Sequence, residues 1–505
     1  ASPHTVELDV GVPARGWHGE AYRGHVFWDE LFIFPFINLR VPAITRSFLL
    51  YRYRRLPEAR RAAIAIGCLG AMFPWQSGSS GREETQSLHL NPLSGRWLLD
   101  TSHRQRHVNA AIVYNVWQYF QVTEDREFMS TYGVELMLEI ARFWVSLAKF
   151  DDTRQRYAIV GVMGPDEFHT SEPDVDPTLA AGLPNNAYTN ILASWCITRT
   201  LDALDLLSDS QRRRLLDNLD VTQADLEDWD HVSRNLIVPF HDDSIISQFE
   251  GYEKLAELDW DRYLRTYGNL QRLDRLLELE GDDPNRYKIS KQADMLMLFF
   301  LFSTEELKEV FDRLGYNFSS EMIGKNIKYY MARTTHGSTL SWVAHAWVMS
   351  RWDRKRSWRL FEQALDSDVE DLQEGTTAEG IHLGAMAGTV DLVQRCYTGI
   401  EILADTLNFN PLLPDELSRL HITIHYRWHT LDVTVTSRDL TVSSRRCTAP
   451  PVTIAYRGHV RKISPGQTYT FRLIRAVKKP SITTIPSGIE ASDATSSRNI
   501  EKMRG

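Results

Sequence analysis

The chain has 505 residues, 43% of them hydrophobic and 11% aromatic, and carries a formal net charge of −9. That length exceeds one ordinary core and predicts a large repetitive domain joined to a smaller one, or several domains. The acidic balance, with a pI near 6.0, excludes a general nucleic-acid or anionic-membrane surface, although basic clusters such as "YRYRRLPEARR" (51–61) occur locally.

The opening stretch, "ASPHTVELDVGVPARG", has no basic segment followed by an apolar one, so no export signal is expected. Without an initiator Met, the chain reads as a fragment or a processed product. From about residue 42 to 400, apolar residues recur every three or four positions in "VPAITRSFLLYRYRRLPEARRAAIAIG", "HVNAAIVYNVWQYFQV", "VELMLEIARFWVSLAKF" and later segments, with Gly, Pro, Asn and Asp between them. Paired helices with loops of uneven length and no fixed repeat predict a closed barrel of helical hairpins over 1–402 rather than a solenoid. After about 403, short alternating runs such as "HITIHYRWHTLDVTVTSRDLTV" predict a small antiparallel β domain to about 476. The polar stretch 477–505 has little to bury and is expected to be disordered. No apolar run is long enough to span a bilayer.

Cys68, Cys196, Cys396 and Cys447 lie far apart without a CxxC pair, so neither a zinc site nor a disulfide framework is signalled. Reduced thiols and a cytoplasmic location are expected. Fourteen Trp and 19 Tyr supply the flat side chains that sugar clefts use, although most belong to core packing.

Chemistry in a helical barrel concentrates on the loops. In "GVMGPDEFHT" (161–170) a Gly-Pro break interrupts regular structure and presents Asp166 and Glu167 beside apolar neighbours. Two solvated turn carboxylates are the ordinary outcome for such a pair. The alternative is a tuned acid: Glu167, desolvated and repelled by Asp166 if both face one cleft, could protonate a departing glycosidic oxygen. "THGSTLS" (335–341) sets His336, Ser338, Thr339 and Ser341 around Gly337 at the start of a predicted helix, as either an N-cap or an anion site. Residues 334–350 contain no Asp or Glu, so a bound phosphate could attack without a base to activate water. His382, in "EGIHLGAM", is a candidate to complete that site. "FWDE" (27–30) pairs Trp28 with Asp29, a ring and a carboxylate suited to a sugar, and "KQAD" (291–294) offers Lys291 and Gln292 at a helix start. "DVDPT" (174–178) matches a phosphatase nucleophile motif but follows a polar loop rather than a buried strand, and is coincidental.

Taken together, "YRGHVFWDE", "FPWQS…GREET", "HVNAAIVYNVWQY", "GPDEFH…NNAYTN", "KQAD", "HGSTLS" and "TTAEGIHLGAMAGT" resemble the catalytic domain of glycoside hydrolase family 65 over about residues 20–475. The family contains maltose, trehalose, kojibiose and trehalose 6-phosphate phosphorylases and some hydrolases. The resemblance implies an (α/α)6 barrel with a small C-terminal β domain and an inverting phosphorolysis to β-glucose 1-phosphate. Glu167 matches the general acid, Trp28, Asp29, Lys291 and Gln292 match glucose-binding positions, and the "HGSTLS" loop with His382 matches the phosphate site. Inorganic phosphate is then a co-substrate, and neither a cofactor nor a metal is implied. Glu374 and Glu379, close to His382, keep an inverting hydrolase open, and a silent or sugar-sensing module of a fused enzyme is a further alternative. Two departures stand out. The family's N-terminal β-sandwich, with which a homodimer stays open, does not precede "FWD" here. In addition, Gln76 occupies a position where Glu is expected.

Overall fold

A computed structural model describes residues 6–16, 21–176, 178–179, 181–242, 244–292, 294–370, 378 and 380–474. Six helices form an inner ring: Glu30–Asn38, Val108–Thr123, Ala187–Leu204, Asp294–Leu301, Thr339–Met349 and Leu383–Asp391. Each packs on the next and the last returns to the first, which closes the (α/α)6 barrel. These helices are buried nearly all round, and their sequences lack the polar stripe of a surface helix. "DMLMLFFL" (294–301), for example, has every residue buried.

The outer helices are amphipathic and bury one face against the ring. Pro42–Arg54 packs on the first two inner helices, Val134–Leu147 on the second and third, and Arg354–Asp366 on the last two. The apolar run expected to continue through residues 42–67 breaks at Arg55, because Pro57 suits only the first turn of a new helix, Leu56–Ala65. Several outer helices start on side-chain caps; Ser208, Thr222 and Ser303 form reciprocal capping boxes.

The C-terminal part is two four-stranded sheets sharing one core. One sheet runs Thr468–Arg472, Asp439–Ser444, His429–Thr436, Arg419–Tyr426, all antiparallel. Its inward residues alternate, as in Leu431, Val433 and Val435. The other runs His459–Ile463, Val452–Tyr456, Thr406–Phe409, Glu401–Leu403. The expectation of a wholly antiparallel domain needs one correction: Val452–Tyr456 pairs parallel with Thr406–Phe409. Residues 410–451 pass through the first sheet before returning, and so long a crossover permits parallel pairing. Leu39 and Val122, at the ends of two inner helices, join this core and fasten the barrel to the sheets. The tail expected to be disordered lies outside the described residues.

Candidate active site

A cleft of about 370 Å³ is lined by Trp28, Asp29, Gln76, Glu167, Lys291, Gln292, Gly337, Ser338, Thr339 and His382, among others. Trp28 and His382, 354 residues apart in sequence, therefore converge, because each stands just before the start of an inner-ring helix.

Glu167 sits on its turn with φ +63°, the left-handed region, and its side chain is one-quarter exposed. Lys291 Nζ donates to Glu167 Oε2 at 2.6 Å. Burial alone would lower the Lys291 ammonium, but the Glu167 charge, its hydrogen bond and Tyr22 together hold the group above its ordinary value. Asp166 points the other way. Its Oδ1 accepts from the Lys291 backbone N–H at 2.9 Å, and its Oδ2 from Gln248 Nε2 at 2.8 Å and from His169 Nδ1. His169 Nε2 donates to the Tyr287 carbonyl at 2.9 Å. Burial would depress the His169 imidazole, yet the Asp166 carboxylate raises it. The two carboxylates thus do not share the cleft; Asp166 is a buried anchor and Glu167 the exposed group.

Asp294 makes the turn's second anchor. Its Oδ1 accepts from the Asp166 N–H at 2.6 Å and its Oδ2 from Asn186 Nδ2 at 2.7 Å. Burial, then the Asp166 charge, pushes the Asp294 carboxyl well above the usual carboxylate range. Only a glycine fits at 164, since a Cβ there would stand 2.1 Å from Asp294 Oδ2. Gln292 Nε2 donates to the Pro165 carbonyl at 2.7 Å, while its buried Oε1 has no hydrogen-bond partner among the described residues.

Trp28 and Asp29 precede the first inner helix. Trp28 is buried among Phe32, Trp75 and His107, with its ring centroid 4.9 Å from His107. Asp29 Oδ1 accepts from His382 Nε2 at 2.8 Å, and His382 Nδ1 meets Thr339 Oγ1. His382 therefore bridges the carboxylate expected on the sugar side and a hydroxyl expected on the anion side. The stretch 334–350 lacks a carboxylate in sequence, but the fold carries Asp29 to its edge.

Ser338 is the N-cap residue of helix Thr339–Met349 and its hydroxyl makes no capping bond. Ser338, Thr339 and the Gly337 backbone face the cleft. Gly337 is required there because a Cβ would lie 2.3 Å from the Gln271 carbonyl. His336 and Ser341 do not line the cleft; His336 Nδ1 and Ser341 Oγ lie 2.9 Å apart beneath the loop, and the ring stacks on Trp342 at 3.9 Å. Burial, then Arg356, brings the His336 imidazole down to about 3. Gln76 Nε2 meets His25 Nδ1 at 2.8 Å at the cleft wall. Glu374 and Glu379 lie outside the described residues. Sequence reasoning missed Asn186, Gln248 and Asp294 of the buried group around Asp166; "KQAD" and "NNAYTN" held two of them, without any pattern that linked them to residue 166.

Residues 1–391 match the glycosyl hydrolase family 65 central catalytic domain, and residues 400–461 match that family's C-terminal domain. An uncharacterized glycosyl hydrolase of Mycobacterium tuberculosis is 54% identical over 92% of this chain and 35% of its own length. The trehalose 6-phosphate phosphorylase of Lactococcus lactis is 36% identical over 86% of this chain and 55% of its own, and the kojibiose phosphorylase of Thermoanaerobacter brockii 33% over 86% and 53%. The chain thus spans about a third to a half of the length of these relatives. A solved structure described as a candidate kojibiose phosphorylase from the human microbiome superposes with a TM-score of 0.74 at 24% identity, covering 93% of this chain and 63% of that one. That likeness shows the fold.

Proposed function

The chain belongs to glycosyl hydrolase family 65, and on that premise we propose that it catalyses inverting phosphorolysis of an α-glucosidic disaccharide of the trehalose or maltose type. Inorganic phosphate is the co-substrate and no other cofactor is needed. The products are β-glucose 1-phosphate and the released sugar, and the setting is cytoplasmic, in keeping with four unpaired cysteines.

The observation that carries this reading is the convergence of Glu167 and the Ser338–Thr339 helix start on one cleft, with Trp28 and Asp29 in its wall. In the reaction, Glu167 gives its proton to the glycosidic oxygen as the C1–O bond to the leaving sugar breaks. A phosphate oxygen forms the new bond to C1 from the opposite face, which inverts the centre. Hydroxyls and amide N–H groups at the start of helix Thr339–Met349 hold the anion. The Asp29–His382–Thr339 chain ties sugar position to anion position, so binding of one partner orders the site for the other. The sugar enters with Glu167 protonated from solvent and with its glycosidic oxygen in the place that Lys291 Nζ holds on Glu167 in the free protein. Once the proton has left, Lys291 pairs with the carboxylate again and stabilises it. Phosphomonoester and glucose release from a panel of trehalose, trehalose 6-phosphate, maltose and kojibiose, each with and without phosphate, tests the proposal. Turnover of at least one sugar that requires phosphate is expected; glucose release indifferent to phosphate would return the reading to an inverting hydrolase.

A further inference from the structure

Between the loops that carry Gln76 and Glu167 runs a hairpin of two short strands, Leu88–Leu90 and Trp97–Leu99, paired Leu88 with Leu99 and Leu90 with Trp97. Cross-strand partners and alternate residues share a face, so Leu88, Leu90, Trp97 and Leu99 all project from one side. They are 42% to 64% exposed, and Leu93 at the turn is also exposed. A continuous apolar face of this kind marks a binding surface. It is also firmly held. Asn91 Nδ2 donates to the Arg275 carbonyl at 2.9 Å, and Asn91, Ser94 and Arg96 all donate to the Glu278 carboxylate, fastening the hairpin tip to helix Leu273–Glu280.

Leu90 and Leu99 line the cleft as well, alongside the polar Thr85, Asp100 and Thr101. The apolar face is therefore continuous with the site, and it lies at the exposed mouth, whereas Trp28 and Asp29 are buried. A macromolecule seated on it would cover the entrance that the sugar must use, so a small group is the fitting occupant. We propose that this hairpin face is an acceptor-side subsite for an apolar substituent, so that acceptor sugars bearing an aryl or alkyl group bind better than the bare sugar. Thr85, Asp100 and Thr101 serve the hydroxyls of the leaving sugar, and Leu90, Leu99 and Trp97 receive the group attached to it. The orientation of substrate rests on the phosphorolysis reading.

The test compares glucose with 6-O-benzylglucose, whose ring hydroxyls and anomeric hydroxyl all stay free to accept, in the synthetic direction with β-glucose 1-phosphate as donor, in the wild type, Trp97→Ala and Trp97→Phe. The wild type should show a lower KM for the benzyl sugar than for glucose. Loss of the ring in Trp97→Ala should raise the benzyl sugar KM roughly fivefold and leave that for glucose unchanged, and Trp97→Phe should restore it. An identical KM ratio in wild type and Trp97→Ala overturns the proposal, as does a change in sedimentation with no change in acceptor preference, which would assign the face to a second copy of the chain. If neither sugar is turned over, calorimetric titration with 6-O-benzylglucose decides the subsite separately from the phosphorolysis reading, and equal affinity in wild type and Trp97→Ala overturns it.

Discussion

Replacing Gly164 by alanine tests whether the acid-bearing turn is held as the structure has it. The new methyl carbon would stand 2.1 Å from Asp294 Oδ2 and 2.5 Å from Asn186 Nδ2, where ordinary contact begins at 3.4 Å. Both neighbours are buried polar groups bonded to each other, Asp294 also to the turn and Asn186 to the Gln248 carbonyl, so neither can swing into solvent. Overpacking of this kind costs about 1–3 kcal/mol. Freeing Asp294 from Asn186 or from the Asp166 N–H adds about 1–3 kcal/mol for a buried group left unpaired. The fold should therefore lose roughly 2–6 kcal/mol, and a turn displaced by about 1 Å should lower kcat/KM on the order of 100-fold through misplacement of Glu167. Denaturant midpoints and steady-state rates of the purified variant read both effects. A Gly164→Ala protein with an unchanged midpoint and kcat/KM within about twofold of wild type would refute the packing of Asp294 against this turn.

Other expectations follow from the same contacts. Thr339→Val removes the hydroxyl that meets His382 at the helix start, and should raise the KM for phosphate roughly 10-fold with a smaller change in the KM for the sugar, in initial rates measured over both substrates. Burial holds His107 and His336 down to about 3, whereas an unfolded His takes its proton at about pH 6.5. Between those values the unfolded chain binds the extra protons, so their contribution is complete above about pH 6.5 and is lost as pH falls towards 3. Melting temperatures should decline on acidification, and His107→Gln should flatten that limb. His169, raised by Asp166 despite its burial, acts in the opposite sense. Its contribution is complete below about pH 6.5 and is lost as pH rises through its higher folded value, so His169→Gln should remove a decline on the alkaline side.

The helical periodicity of residues 108–123, 134–147 and 187–204 was legible because tertiary packing reinforces local preference there. Closure of the ring was not, since no local pattern records that helix Leu383–Asp391 packs on Glu30–Asn38. The same limit governs the site. Glu167, Asp29 and Thr339 stand out as residue types on irregular loops, but the Lys291–Glu167 pair and the His382 bridge join positions 124 and 353 residues apart. Nothing in either stretch encodes its partner. The hairpin 88–99 escaped notice because its strands are three residues each, too short for alternation to show. His336 looked like an anion ligand by composition, yet the apolar Trp342 beside it provides a better home for its ring than the cleft does.

The central claim is that Glu167 supplies a proton to the leaving oxygen while phosphate attacks C1, and a Glu167→Gln variant separates the two roles. Its turnover of a disaccharide should fall by about 10²–10⁴-fold. With α-glucosyl fluoride, whose leaving group needs no proton, the variant should still convert phosphate to β-glucose 1-phosphate at a rate close to that of wild type, followed by ³¹P NMR. Near-wild-type turnover of the disaccharide by Glu167→Gln, or loss of the fluoride reaction to the same degree as the disaccharide reaction, would contradict the assignment.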